Sequence, residues 1–125
     1  MADTLLFQHF LQMFKGQVSS HDNWLYFHGR YRGRWRFAIH LRTGSIIRNT
    51  YGRHNTLGHI NEAVFSFAQV PLFWGLFHKK YRLTMSIHRK SLQLPMTFRL
   101  LTCQSKEQMM LVDTILRSIR MQVNR

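Results

Sequence analysis

Residues 30–42 read Arg-Tyr-Arg-Gly-Arg-Trp-Arg-Phe-Ala-Ile-His-Leu-Arg. Successive side chains of an extended strand point to opposite faces. In that conformation Trp35, Phe37, Ile39 and Leu41 share an apolar face, while Arg34, Arg36, His40 and Arg42 share a cationic one. One side is core and the other is charge, so this stretch predicts a half-buried strand in a sheet whose outer surface is basic.

Working outward, Trp24 to His28 is a second strand rich in aromatics, and Gly29 to Gly33 supplies two glycines for the hairpin that joins it to the arginine strand. Thr43-Gly44 makes the next turn, and Ser45 to Tyr51 reads as a third strand of an antiparallel meander. Ser19 to Asn23 reads as a polar break. Before it, Asp3 and Thr4 can cap a helix in which Leu6, Phe10, Met13 and Phe14 recur at helical spacing, with Lys15 near its end and Gly16 to stop it.

After the meander, Gly52 to Gly58 turns polar. Asn55 or Thr56 could open a helix through Gln69 that Pro71 ends, although Val64, Phe65 and Phe67 would also suit a strand. Tyr81 to Arg89 alternates again, with Tyr81, Leu83, Met85 and Ile87 opposite Arg82, Thr84, Ser86 and His88. Next, Met96, Phe98, Leu100 and Thr102 share a strand face with Arg99 opposite. Ser105 stands three residues before Gln108, the spacing of a capping box, and opens a long helix with the stripe Val112, Ile115, Leu116, Ile119 and Val123.

The expected fold is α+β: an N-terminal helix, an antiparallel sheet of about five strands, and a long C-terminal helix packed on the sheet. Residues 1–125 form one basic domain, since the length suits a single hydrophobic core. Phe98 to Met121, a strand running into a helix, resembles the end of pleckstrin-homology-like domains in that stretch alone; no diagnostic motif accompanies it and no family follows.

Composition narrows the function classes. Eighteen Lys and Arg against five Asp and Glu leave a formal charge of +13, and self-repulsion of that size is relieved by a polyanion. With 45% hydrophobic and 14% aromatic residues, the chain is too apolar for a disordered basic tail. Cys103 is alone, so neither an intramolecular disulfide nor a cysteine zinc site is expected, and a reducing compartment, cytoplasmic or nuclear, fits best. No signal peptide is expected from Met1 to Phe14. The apolar run from Ala63 to Phe77 is broken by Gln69 and Pro71 and is shorter than the roughly 20 residues that span a bilayer.

No catalytic constellation is expected. The acids Asp3, Asp22, Glu62, Glu107 and Asp113 are scattered, and no nucleophile stands with a base and an orienting group. The nearest helical pair of histidines, His54 and His59, is spaced five apart rather than four, so no metal site is expected, and no phosphate loop is present to imply a nucleotide cofactor.

Binding chemistry is better represented. Arg30, Tyr31, Arg32, Arg34, Arg36, His40 and Arg42, joined by Arg82 and Arg99, form a candidate nucleic-acid surface. Guanidinium groups hold phosphates in bidentate fashion, and exposed rings such as Tyr31 stack on unpaired bases, whereas Trp35 is expected in the core with Phe37 and Ile39. Leu72, Phe73, Trp74 and Phe77, followed by Lys79 and Lys80, form a second candidate surface, suited to burial, to a homo-oligomer contact or to an anionic membrane. The pattern therefore points to a small nucleic-acid-binding protein preferring RNA or single strands, of a composition that suits a viral accessory or structural protein. The alternatives are a peripheral, matrix-like protein on anionic lipid and an adaptor for an acidic protein.

Overall fold

The structure is a computed structural model that describes residues 4–29, 34–70, 80–88 and 95–125. Helix α1 (Thr4–Met13) buries Phe10, and the chain leaves it through Gly16 at φ +90°, a conformation that costs glycine little. Five strands follow, each antiparallel to the next: β1 (Val18–His21), β2 (Trp24–His28), β3 (Trp35–His40), β4 (Ser45–Thr50) and β5 (Arg53–His59). A single 3-10 turn (Ile60–Glu62) leads into a second antiparallel sheet of β6 (Ala63–Val70), β7 (Lys80–Ile87) and β8 (Met96–Cys103). Helix α2 (Lys106–Val123) closes the chain.

The α+β plan read from the sequence is the plan of the molecule. The five strands legible in the sequence are divided three and two between the sheets, and β1, β5 and β6 are additions. The supposed polar break holds β1, an edge strand in which only Val18 is buried. Its polar residues are tolerated because the rest of the strand faces solvent. Asp22 and Asn23, both at positive φ, then make the two-residue turn into β2.

Asn55 to Gln69 is the main correction: in place of a helix the chain forms β5, the 3-10 turn and β6. Leu57, Ile60 and Ala63 are all buried and fall three apart, which imitates a helical stripe. That spacing arises instead from an extra residue in β5, where Ile46 faces Gly58 but Ile47 faces Thr56, followed by the single 3-10 turn. The turn is closed at once: Asn61 N–H donates to His59 Nδ1 (3.1 Å) and His59 N–H donates to Glu62 Oε1 (3.0 Å). Val64, Phe65 and Phe67 then continue in the extended form that β-branched and aromatic side chains prefer.

The inner faces of the two sheets share one core. Leu25, Phe27, Phe37, Ile39 and Ile46 come from the first, Leu83, Met85, Ile87, Leu101 and Cys103 from the second, and Phe10 and Phe14 from α1 and its exit. Onto this core α2 lays Val112, Ile115, Leu116 and Ile119, as its sequence stripe predicts. Its start is fixed by the expected cap, with Gln108 N–H donating to Ser105 Oγ (3.2 Å) and Gln108 Oε1 accepting from Gln104 N–H (2.7 Å). At its far end Val123 sits over Gly44, whose φ is +77°, and a Cβ there would stand 2.9 Å from Val123 Cγ1. The turn between β3 and β4 therefore docks against α2 only because residue 44 is glycine.

In β8 the expected alternation holds for Met96, Phe98 and Arg99 and then shifts. Leu83 faces Leu101 but Thr84 faces Arg99, so Leu100 is an extra residue. Beyond it Leu101 and Cys103 turn into the core, and Thr102 turns out beside Arg99 rather than inward with Leu100. Among the described residues, no helix is long and apolar enough to cross a membrane.

Candidate nucleic-acid interface

The interface begins with a bulge. Phe27 faces Phe37 across the β2–β3 ladder, yet His28 faces Trp35, so Arg36 is unopposed. One extra residue reverses the faces beyond it. Trp35 thus leaves the apolar side, where its spacing from Phe37 and Ile39 had placed it, and joins the outer face. There its ring lies 5.1 Å from Tyr26 and 4.9 Å from His54. From Phe37 onward the expected alternation holds, with Phe37, Ile39 and Leu41 buried.

Three arginines gather where the strands end. Arg34 is exposed just before β3. The side chain of Arg36 lies against Gly29, where a Cβ would stand 2.5 Å from Arg36 Cδ and 2.8 Å from Cγ. Arg48, opposite Phe37 on β4, carries its guanidinium 5.4 Å from the centre of the Phe98 ring. With Trp35, Asn49 and the Tyr51–Gly52 turn, these residues line a cleft of about 850 Å³. Asn49 Nδ2 donates to the Trp35 carbonyl (3.1 Å) and fixes the bulged backbone from the neighbouring strand. Tyr51, at φ +50°, is 96% exposed and lines the cleft.

A second cleft of about 450 Å³ adjoins the first and shares its Gly29–Arg36 wall, with His28 and Gln17 on one side and Arg99 to Thr102 of β8 on the other. Arg99 Nη2 donates to Thr102 Oγ1 (2.8 Å), and Arg82 faces Thr102 from β7. The Nε of Arg82 is buried and has no partner among the described residues. Around these cations the outer face of the second sheet carries hydroxyl pairs, Ser66 with Thr84 (2.9 Å) and Ser86 with Thr97 (3.1 Å). Arg34, Arg36 and Arg48 thus connect through the second cleft to Arg99 and Arg82, giving a cationic track across one end of the molecule.

The remaining candidates divide. Arg42 lies in the turn beyond the opposite end of β3 from Arg36. His40 belongs to that end too: its Nδ1 accepts from Arg42 N–H (3.3 Å) and Thr43 N–H (3.0 Å), and its ring meets Trp24 edge-on at 4.7 Å. It organises a turn and is not part of the cleft. Arg30, Tyr31 and Arg32, and Leu72, Phe73, Trp74, Phe77 and Lys79 of the aromatic segment, lie outside the described residues. Lys80 is the half-buried first residue of β7, paired with Val70. Arg48, Asn49 and Tyr51 are additions that the sequence reading did not single out.

Electrostatically the track has no internal anion. The ion pairs among the described residues are His21–Asp22 and Asp113–Arg117, both 3.0 Å, and neither involves a track arginine. Among the described residues no three His, Cys, Asp or Glu side chains gather closely enough to hold a metal ion. Cys103 is fully buried, and that burial pushes its thiol up to about 11, so it is a core residue rather than a nucleophile. Compared with protein-family models, curated proteins and solved structures, the chain matches none.

Proposed function

We propose that this protein binds single-stranded nucleic acid, RNA foremost, along the track from the Tyr51 turn to Arg82, and that it acts by binding rather than catalysis. The observation that carries this reading is the cleft in which Arg34, Arg36 and Arg48, unpaired with any carboxylate among the described residues, stand beside Trp35 and the exposed Tyr51. Guanidinium groups take phosphate oxygens through paired N–H donors. A protruding ring offers an unpaired base a stacking surface, which a base inside a duplex cannot use. The cleft volume falls in the range of small-ligand sites, about 300–1,000 Å³, and has room for a nucleotide unit. The free thiol of Cys103 and the charge balance support an intracellular setting, cytoplasmic or nuclear, and the composition supports a viral accessory or structural protein.

The test is fluorescence anisotropy of a labelled, unstructured RNA oligonucleotide, with protein first freed of co-purifying polynucleotide by nuclease and high salt. Saturable binding is expected. If Arg34, Arg36, Arg48, Arg82 and Arg99 each neutralise a phosphate, log K should fall against log salt with a slope of about −3.5, from roughly −0.7 per phosphate. Protein that ignores RNA but sediments with anionic liposomes would overturn the proposal in favour of a lipid surface.

A further inference from the structure

Of the four sheet edges among the described residues, three are blunted. β1 is four residues long and polar; β5 carries Arg53, His54 and the Leu57 bulge; β8 is bulged at Leu100, and its Thr102 N–H already donates to Gln17 Oε1 (3.1 Å). β6 is different. Its eight residues, Ala-Val-Phe-Ser-Phe-Ala-Gln-Val, contain no charge, proline or bulge. They pair residue for residue with β7 on one side and, among the described residues, with no strand on the other. Long, unbulged, uncharged edges of this kind are templates for another strand.

The orientation of the open side follows from its first residues. The Glu62 carbonyl accepts from His88 N–H (3.4 Å), toward β7, whereas the Ala63 carbonyl accepts from Arg120 Nη2 on α2. Alternation along the strand then turns the N–H and C=O of Phe65, Phe67 and Gln69 to the open edge. Phe65 and Phe67 are half-buried on the inner face, and Val64 is 55% exposed on the outer one.

We infer that β6 pairs antiparallel with β6 of a second copy of this chain about a two-fold axis at Ser66. The occupant is set by the strand itself, because Phe-Ser-Phe reads the same in both directions. That register places Phe65 of each copy opposite Phe67 of the other with edge-facing backbone groups matched, and Val64 opposite Ala68 on the outer face. The residues of β6 carry no charge, on a chain of formal charge +13, and Arg120, which donates to the Ala63 carbonyl at one end of the open edge, stands at opposite ends of the pairing in the two copies because this register sets Ala63 opposite Gln69. The result is a six-stranded sheet whose outer face presents Arg82 and Arg99 from both copies. The inference does not depend on the nucleic-acid reading.

Light scattering on nuclease-treated full-length protein at high salt tests it. The expected mass is twice the 15.1 kDa of the chain, falling to one chain in Ser66→Lys, which sets two ammonium groups face to face at the axis. As a second measurement, Ser66→Cys should give a disulfide-linked dimer on mild oxidation, while Val64→Cys, which faces Ala68, should not. A wild-type protein that stays at one chain mass overturns the inference. So does a dimer that survives Ser66→Lys, and so does one that is not cross-linked through Ser66→Cys, since either places the contact elsewhere.

Discussion

Arg36 rests on Gly29 at a distance that no side chain on residue 29 allows, because a Cβ there would come within 2.5 Å of Arg36 Cδ. The atoms that would have to move belong to a flexible side chain rather than to backbone. Gly29→Ala should therefore leave the fold intact, with stability changed by less than about 1 kcal/mol, and push Arg36 out of the wall between the two clefts. RNA affinity measured by anisotropy should fall, and the salt slope should flatten by about 0.7, the value of one lost phosphate contact. Unchanged binding would mean that Arg36 is not a contact.

Tyr51 separates function from stability in the opposite sense. It occupies a left-handed conformation, φ +50°, next to Gly52 at +79°, in the turn between β4 and β5. Asn-Gly is the favoured pair in such a hairpin. Tyr51→Asn should raise thermal stability, by roughly 0.5–1 kcal/mol on the scale of turn optimisation, because the tyrosine ring is solvent-exposed and contributes little packing. The same substitution removes a stacking surface worth about 1–3 kcal/mol per base. A protein that melts higher and binds RNA less tightly is the expected outcome, read by calorimetry and anisotropy together.

Three features that the sequence concealed share a cause: each involves an extra residue in a strand that is visible only against its partner strand. Phe37, Ile39 and Leu41 were legible because alternation alone decides their face. Trp35 was not, since the bulge that turns it outward exists only in the pairing with His28. Thr102 was misplaced for the same reason, by the extra residue at Leu100. Leu57, Ile60 and Ala63 imitated a helix through a bulge and a 3-10 turn that happen to reproduce its spacing. By contrast α1 and α2 rest on local periodicity, and α2 also on its cap at Ser105, and those were read correctly; the expected cap at Asp3 lies outside the described residues. The cationic character of the surface was also legible, but Arg48 entered the cleft from a strand whose pattern, Ser-Ile-Ile-Arg-Asn-Thr, gives no sign that its arginine meets Phe98.

Burial of Cys103 makes stability depend on pH in the alkaline range. Its thiol is raised from 9.0 to about 11 in the folded protein by burial. A group whose folded value lies above its unfolded one contributes stability that is fully present below the unfolded value and is lost as pH rises through the folded value. Stability should thus decline between about pH 9 and 11 by at most about 3 kcal/mol, at 1.36 kcal/mol per unit. Cys103→Ala should remove that part of the alkaline decline, measured by denaturant unfolding across the range. At pH 8 the native thiol should resist a disulfide reagent and react once the protein is unfolded.

The arginine strand itself allows register and function to be tested in one comparison. Arg34, just before β3, and Arg36, the bulged residue, are both exposed, whereas Phe37, the next residue, is 3% exposed and packs on Phe98 with ring centres 4.9 Å apart. Replacing Arg34 and Arg36 together by Gln should leave stability within about 0.5 kcal/mol of the parent. It should weaken binding to unrelated RNA sequences alike and flatten the salt slope by about 1.4. Phe37→Ala should instead cost roughly 3–5 kcal/mol, as large-to-small changes of a core aromatic do. If the double arginine variant unfolds and Phe37→Ala stays stable, the faces of β3 are reversed. If both fold and bind as the parent does, the track lies elsewhere on this surface.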